Sequence, residues 1–477
     1  MKTFAPAISR PRFSVFNLLS SILVILAPAI PAFCQPPDYA ANKAIAEKFY
    51  FQGSYEKAHD LYAKMDVSSL PEQDARWVEF RLADTQWRSA AASANPDTSK
   101  LDAAGDSLEK QIRDLTRDDQ HDQIWAEVEE SLGDFNWLGP NRNWNMAWPY
   151  YQAALDWWAG QSDLDLARER YLNIVWKLAR PPDHWGSASY GDWGCFIPMD
   201  VLENAAKIAL TDEDKAHAHY LIAMTLRGQA NDWAQTERIP REFEEAIRAG
   251  KKTGWYDSAL FQYAQWLEEN GRATLDKDGN WSSQPDYAEA LALYRRLTNS
   301  YTEGESRFWD QARNEIDSIT GPQVQVSADH VFLPNSEIQY TLSSRNVRKM
   351  RLALYPVDLT QAVNFPATSG TWTDWRQTID LQRLKRSKSW TRKIEGHEEY
   401  APVNATAQVG GKLRTGAYIL QAQGNGQSSR DLVLVTDAAL VLKTSDRQAL
   451  LYFCDAVNSA PIANARVKLW VIWNDYE

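Results

Sequence analysis

The spacing of apolar residues changes once along this chain, and that change constrains the fold more than any other sequence feature. Before Gly321-Pro322, apolar residues recur every three or four positions, which is typical of amphipathic helices. After it, apolar and polar residues alternate, which is typical of half-buried strands. Helical runs followed by strand runs predict a multidomain α plus β protein, with an N-terminal α-helical, solenoid-like repeat region followed by antiparallel β-sandwich domains.

Residues 1–34 have the pattern of a secretory signal peptide. Lys2, Arg10 and Arg12 precede the apolar residues 13–26, and small-residue cleavage patterns follow. Cleavage is expected after Cys34. A retained membrane anchor is the alternative, but two prolines interrupt the stretch and a span takes about 20 apolar residues. We therefore expect an exported protein, periplasmic or extracellular, with no membrane span once the signal is removed.

Residues 35–320 are predicted to form helical pairs. Gly53 is expected to end one helix and Ser54 to cap the next, on which Tyr55, Ala58 and Tyr62 share one face. This set resembles the second helix of a tetratricopeptide repeat. The same aromatic–alanine–aromatic spacing recurs at Tyr150, Ala153 and Trp157, at Tyr256, Ala259 and Tyr263, and at Tyr287, Ala290 and Tyr294. Because the last two sets are separated by close to the roughly 34-residue period of such repeats, we predict a degenerate tetratricopeptide-like array, with a non-repetitive bundle as the alternative.

Tryptophan is unusually frequent, with 21 residues in the chain. Packing between helix pairs is the main interpretation. The alternative is a ligand surface of stacked aromatic rings, as in carbohydrate-binding proteins. Residues 181–195 are the candidate for that surface, because glycines, prolines and the aromatic residues Trp185 and Trp193 together predict an ordered loop. A loop that only caps a helix pair is the competing interpretation.

The side chains that carry enzyme chemistry show no catalytic spacing. His217 and His219 lie two positions apart on a predicted helix, so they point in different directions and are poorly placed to share a metal ion. Glu127, Glu129 and Glu130 are predicted to form a solvated helix face. We therefore expect no enzyme activity, no cofactor and no metal site.

One short segment looks like a calcium loop. Residues 276–280 read Asp-Lys-Asp-Gly-Asn. An EF-hand loop needs glycine at its sixth position and glutamate at its twelfth. Those positions hold Trp281 and Tyr287, so we predict a polar turn between helices.

Charge and cysteine content exclude two further classes. The chain has 51 Lys and Arg against 63 Asp and Glu, a net charge of −12, and no basic tract. Nucleic-acid binding is therefore not expected, since it requires clustered cations. The three cysteines are too few for a disulfide framework. After signal removal Cys195 and Cys454 remain, and the residues neither require nor exclude a disulfide between them.

Residues 322–437 are predicted to form one β-sandwich. Alternation places Val326, Tyr340, Leu352, Leu420 and Leu434 on strand faces that share one core. The polar residues 369–403 are expected to form surface connections. Residues 438–477 then open a second sandwich that the chain leaves unfinished. Because an unpaired sheet edge promotes aggregation, we expect the natural protein to continue past Glu477.

Residues 431–470 are similar to the junction between macroglobulin domains in bacterial alpha-2-macroglobulin family proteins. The segments that carry this resemblance are residues 431–437, 439–443, 448–455 and 461–470. Residues 351–359 and 416–420 resemble strands of the family's N-terminal macroglobulin domains. The resemblance spans residues 322–477 and does not include the helical region.

The resemblance implies a function. Members of this family are long chains of macroglobulin sandwiches, and typical members inhibit endopeptidases by entrapment after a bait segment is cut. A thioester in a Cys-x-Glu-Gln motif captures the protease in some members, but none of the three cysteines here stands in that motif and no bait segment is identifiable. The expected function is the N-terminal part of an exported endopeptidase inhibitor, with proteins, including proteases, as partners. The alternative is a noncatalytic cell-envelope scaffold that binds proteins or glycans through its helical repeats.

Overall fold

The computed structural model describes residues 37–93, 95, 97–139, 142–179, 197–328, 331–359, 374–395, 399–445 and 448–466. Long helices occupy the described chain up to Thr320, and the large sheets begin at Gln323. The α plus β fold class is therefore confirmed. The predicted signal peptide and the tryptophan-rich loop 181–195 lie outside the described residues. Among the described helices, none is both long and apolar enough to cross a bilayer.

The chain divides into two compact units, the first ending at Ile174 and the second starting at Val175. The helices of the first unit are α1 (Pro37–Phe51), α2 (Tyr55–Tyr62), α3 (Glu72–Ala91), α4 (Thr98–Arg113), α5 (Gln123–Trp137), α6 (Trp144–Ala159) and the larger part of α7 (Leu164–Ala179). The apolar faces of α1 to α5 meet in one core that includes Tyr62, Phe80, Trp87, Leu108 and Leu132.

The second unit continues with helices and then changes to strands. Its helices are α8 (Met199–Ile208), α9 (Asp212–Gln229), α10 (Trp233–Ile247), α11 (Tyr256–Glu269), α12 (Tyr287–Ser300) and α13 (Trp309–Thr320). A small hairpin of β1 (Ala273–Leu275) and β2 (Trp281–Ser283) separates α11 from α12. The predicted polar turn at residues 276–280 joins these two strands. The strands themselves were not predicted from the sequence.

Three of the four predicted aromatic–alanine sets mark buried helix faces. Ala58 and Tyr62 are fully buried on α2, and Gly53 ends the preceding turn with φ of 72°. Ser54 occupies the N-cap position, but its side chain makes no cap hydrogen bond, contrary to the expectation. The sets that end at Tyr263 and Tyr294 also supply buried rings to α11 and α12.

The prediction for α6 was displaced by one residue. Tyr150 and Trp157 are only half-buried, whereas Tyr151 and Trp158 are buried. Both sets have helical spacing, since the aromatic residues of α6 spread beyond a single narrow face. Only the packing of α6 on α5 selects the buried set.

Two sheets form the β-sandwich of the second unit. One has the strand order β4-β10-β9-β6-β7 and the other has the order β3-β5-β8. The strands are β3 (Gln323–Ser327), β4 (Val331–Phe332), β5 (Gln339–Arg345), β6 (Lys349–Val357), β7 (Lys388–Lys393), β8 (Val403–Gln408), β9 (Gly416–Gly424) and β10 (Gln427–Val435), with a short helix α14 (Trp375–Thr378) before β7. All pairs are antiparallel except the short pair β4–β10, and both sheets contribute side chains to one core.

Some strand predictions were wrong in detail. Leu434 is half-buried, whereas Val433 and Val435 of the same strand point into the core. Residues 388–393 form β7, a true member of the five-stranded sheet, inside a stretch predicted to be surface connection. The alternation along β5 and β6 was correct, since Tyr340 and Leu352 are buried.

A separate hairpin follows the sandwich. Strands β11 (Ala438–Thr444) and β12 (Ala449–Asp455) pair antiparallel over seven residues and form a sheet of their own. Leu440 on one face and Val441 on the other are both about half exposed (50% and 47%). An isolated two-stranded hairpin is only marginally stable in water. The hairpin β11–β12 also exposes apolar side chains on both of its faces.

Gly133 of α5 offers a test of helix packing in the first unit. A Cβ atom at this position would lie 2.7 Å from the ring of Tyr151 on α6. We expect Gly133→Ala to lower the free energy of unfolding by about 1–3 kcal/mol, because overpacking outweighs the better helix propensity of alanine. Urea denaturation measures this. Gly160→Ala is the control, because its Cβ would meet nothing closer than 3.5 Å, and an equal loss there would contradict the packing argument.

Candidate functional site

A surface groove lies among α2, the end of α3 and the start of α4. It has a volume of about 880 Å³. Tyr55 and His59 line it from α2, Gln86 and Ser89 from α3, and Lys100 from α4. Most of its lining side chains are polar, and both charge signs are present.

Local sequence signals place these residues. The left-handed conformation of Gly53 lets the chain reverse, so that α2 starts directly afterwards at the groove. On the other side, Asp97 caps α4 by accepting a hydrogen bond from the Ser99 amide at 3.1 Å. The groove therefore lies between the N-termini of α2 and α4 and the C-terminal part of α3.

The chemistry of the groove is suited to binding. Its side chains offer hydroxyl, amide, ammonium, imidazole and carboxylate groups. Among the described residues, no hydrogen bond joins His59 to a hydroxyl group that it could activate as a base. Such groups match the hydrogen-bonding pattern of a polar ligand such as a polypeptide segment.

A buried charge network lies in the same unit, and we call it the Arg81 network. The Arg81 side chain is only 2% exposed. It donates to both carboxylate oxygens of Glu47 on α1, at 2.9 and 3.1 Å, and to Asp84 at 3.4 Å. Its guanidinium also lies over the rings of Tyr50 and Trp77, with 4.1 and 4.5 Å to the ring centroids.

The network continues through Arg88 to α5 and α6. Arg88 donates to Asp84 at 2.8 Å and to Asp134 of α5 at 2.6 Å. Asp84 also accepts a hydrogen bond from Ser131 at 2.6 Å, and Asp134 accepts one from Tyr151 at 2.7 Å. Two arginines of α3 thus join helices that are far apart in sequence.

The electrostatics of the network favour fixed charges over proton transfer. Burial raises the pKa of Asp84, but Arg88, Arg81 and the hydrogen bond from Ser131 together lower it below its ordinary value. Burial lowers the pKa of Arg81, yet the surrounding anionic groups raise it above the ordinary value. Since both members stay ionised at neutral pH, the network stabilises the fold and is not an acid–base pair.

The predicted solvated face of α5 is wrong for two of its three glutamates. Glu127 and Glu129 are 5% and 6% exposed. Glu127 forms an ion pair with Arg170 at 2.7 Å and lies 3.8 Å from Arg81, yet burial is the larger effect and its pKa is raised. Glu129 forms no ion pair with any described cation, and burial alone raises its pKa to about 7.

The spacing on α3 was the signal that could have revealed the network. Arg81, Asp84 and Arg88 follow one helix face at intervals of three and four. That face also carries Trp77, which is buried. Charges of both signs beside buried aromatic residues indicate an internal network.

His217 and His219 lie in separate surroundings, and neither is fully exposed. His217 is 7% exposed and lies between the rings of Trp176 and Trp255, with centroid distances of 4.1 and 3.8 Å. His219 contacts Glu242 of α10 through Nδ1 at 2.7 Å. Each imidazole packs in its own surroundings between helices.

The remaining candidates divide between described and undescribed residues. Cys454 is a buried thiol of β12 without a disulfide to any described residue. Cys195, Trp185 and Trp193 lie outside the described residues. Within the described ranges, no group of three or more His, Cys, Asp or Glu side chains is placed to hold a metal ion.

Comparisons with known proteins give weak likenesses. No family model matches the chain, and no curated protein matches it. A crystal structure of native alpha-2-macroglobulin from Escherichia coli, spanning its domains MG0, NIE and MG1, is a weak structural neighbour with 13% identity and a TM-score of 0.23; the match covers 30% of this chain and 47% of that one. The surface layer protein SbsC, domains 1–6, is similar at 12% identity and a TM-score of 0.14, covering 83% of this chain and 51% of that one. The chain thus spans about half the length of either structure, and TM-scores this low do not establish a shared fold.

The Arg81 network predicts a large stability effect. Arg81→Leu should lower the free energy of unfolding of the first unit by about 3–5 kcal/mol, because Glu47 and Asp84 would stay buried without their cation. Urea denaturation followed by far-UV circular dichroism measures it. Arg117→Leu is the matched control, since the Arg117–Asp119 pair is 70% and 69% exposed and should contribute less than about 1 kcal/mol. Equal losses in both variants would refute a special role for burial.

The raised pKa of Glu129 predicts that the free energy of unfolding depends on pH. Its pKa of about 7 in the folded state exceeds the ordinary 4.5, so the folded state binds the proton more tightly. The stability gained by protonation is present below about pH 4.5 and is lost as the pH rises through 7. Glu129→Gln should therefore raise the free energy of unfolding at pH 8 by about 1–3 kcal/mol, and by much less at pH 5.

Urea denaturation at both pH values measures the Glu129 effect. Glu79→Gln is the control, because Glu79 is exposed on α3. A Glu129→Gln variant with the same pH profile as the unsubstituted chain would contradict the prediction.

Proposed function

We propose that this chain is the N-terminal part of an exported, noncatalytic protein of the alpha-2-macroglobulin type that inhibits endopeptidases by entrapment. The observation that carries the proposal is the sequence resemblance of residues 431–470. These residues run from β10, the last strand of a two-sheet sandwich, into the hairpin β11–β12. A junction between two successive sandwich domains is the feature that the resemblance implies at this position.

The helical part has a supporting role in this proposal. The polar groove among α2, α3 and α4 offers a docking surface for a protein partner, and the Arg81 network keeps its α3 wall rigid. Entrapment of a protease requires a bait segment and a large conformational change in the remainder of the inhibitor. The helical array would then bind partners or set the spacing from the envelope.

Entrapment has a kinetic signature that separates it from active-site inhibition. The protein that carries this sequence, isolated from its source, should reduce endopeptidase cleavage of a large protein substrate and leave cleavage of a short chromogenic peptide nearly unchanged. A trapped protease keeps its active site but is sterically shielded. Equal inhibition of both substrates would contradict entrapment, and so would the absence of any effect across a panel of endopeptidases.

The intact mass of the same preparation is an independent check. A mass several-fold above 54.3 kDa is expected for a chain of successive macroglobulin sandwiches. A mass slightly below that value would leave no residues for a bait segment and would contradict the proposal.

A noncatalytic envelope scaffold is the second candidate, and the groove among α2, α3 and α4 favours it. In that case Ser89→Arg, which places a long side chain in the groove, should abolish binding of the protein partner in a pull-down experiment. Ser107→Arg is the matched control, because Ser107 is exposed on α4 and is not part of the groove lining. Loss of binding in both variants, or in neither, would contradict this role for the groove.

A further inference from the structure

Two indole rings from different elements of the second unit lie parallel at the surface. Trp233 is the first residue of α10, and Trp281 is the first residue of β2. Their ring centroids are 6.1 Å apart and the ring planes differ by 8°. Trp233 is 40% exposed and Trp281 is half-buried. Tryptophan is highly buried on average, so a parallel pair of which one ring is exposed and the other half-buried is an unusual surface feature.

Both rings are presented by well-anchored backbone. Asp232 caps α10 by accepting a hydrogen bond from the Gln235 amide at 2.8 Å. The turn that joins β1 to β2 is closed by Asp276, whose carboxylate accepts from the amides of Asp278 and Asn280 at 2.9 and 2.8 Å. The backbone that carries the two rings is therefore held in place before any ligand arrives, which lowers the entropic cost of binding.

The base of the hairpin is also fixed. Arg272 donates to Glu244 of α10 at 2.8 Å and to Glu289 of α12 at 2.7 Å. The β1–β2 register pairs Leu275 with Trp281, so these two side chains share one face of the hairpin. Leu275 is 55% exposed. The exposed apolar surface thus consists of two flat rings and one aliphatic side chain.

The size of this surface argues against a protein partner. A stable protein interface buries about 800 Å² on each side. One completely buried aromatic side chain accounts for roughly 150–250 Å². Two partly exposed rings with Leu275 supply well below the area of a protein interface, which fits a small ligand or one segment of a polymer.

The chemistry of the surface favours a sugar. The face of an aromatic ring carries negative charge density, and the C–H groups on one side of a pyranose ring form an apolar face with partial positive charge. We propose that Trp233 and Trp281 form a platform that binds an oligosaccharide by stacking on such C–H faces. The exposed side chains of Asn231 and Asp232 lie next to Trp233 in sequence and supply polar groups near its edge. This inference does not depend on the proposed protease inhibition.

Oligosaccharide binding to the whole purified chain tests the platform. A glycan array of neutral and acidic oligosaccharides identifies the bound sugars, and titration followed by calorimetry gives the affinity of the best one. Trp233→Ala and Trp281→Ala should each weaken binding by about tenfold or more, because each removes a stacking face. Trp233→Phe should keep most of the affinity, since it retains an aromatic face.

Trp148→Ala is the matched control. Trp148 stacks on Trp144 of the first unit with centroids 5.5 Å apart, and its removal should leave sugar binding unchanged. Circular dichroism verifies folding of every variant. If Trp281→Ala disrupts the hairpin, Trp233→Ala and Trp233→Phe still test the platform, because Trp233 is exposed and lies on α10.

Three results would overturn the platform. The first is that no oligosaccharide on the array binds at millimolar concentration. The second is that Trp233→Ala binds as tightly as the unsubstituted chain. The third is a partner protein that is lost on Trp233→Ala while no sugar is bound, which would make the ring pair a protein contact.

Discussion

The burial of the Arg81 guanidinium is the constraint on which the first unit depends. A charge that is 2% exposed has lost its hydration and is tolerated only with compensating partners. Those partners come from different helices, since Glu47 lies on α1, Asp84 on α3 and Glu127 on α5. The network therefore specifies which helices meet and in which register, a requirement that apolar packing alone imposes less strictly.

The same network consists of fixed charges and does not form an acid–base pair. Arg88 and Arg81 hold the pKa of Asp84 below its ordinary value, so its charge is constant near neutral pH. The groove on the other side of α3 has neutral and charged polar groups. Glu129 is the exception, because burial without a described cation brings its pKa to about 7 and makes its charge sensitive to pH.

The predictions that succeeded concern features set by local chemistry. The change from helices to strands near Gly321 follows from the period of apolar residues, and Gly53 marks a real reversal because it adopts a left-handed conformation. Predictions about which side chains are buried were less accurate. On α6, Tyr150 was chosen instead of Tyr151, and on β10, Leu434 was chosen instead of Val433. Both elements carry apolar residues on more than one face, so periodicity identifies the faces without showing which one is covered.

The sequence by itself determined the order of helical and strand regions and the chain reversal at Gly53. Only the tertiary structure decided that Glu127 and Glu129 are buried and that Trp233 meets Trp281 at the surface. The physical reason is the range of the interactions. Backbone conformation and amphipathic period depend on neighbours a few positions away, whereas the burial of a charge or the pairing of two rings depends on partners from distant elements.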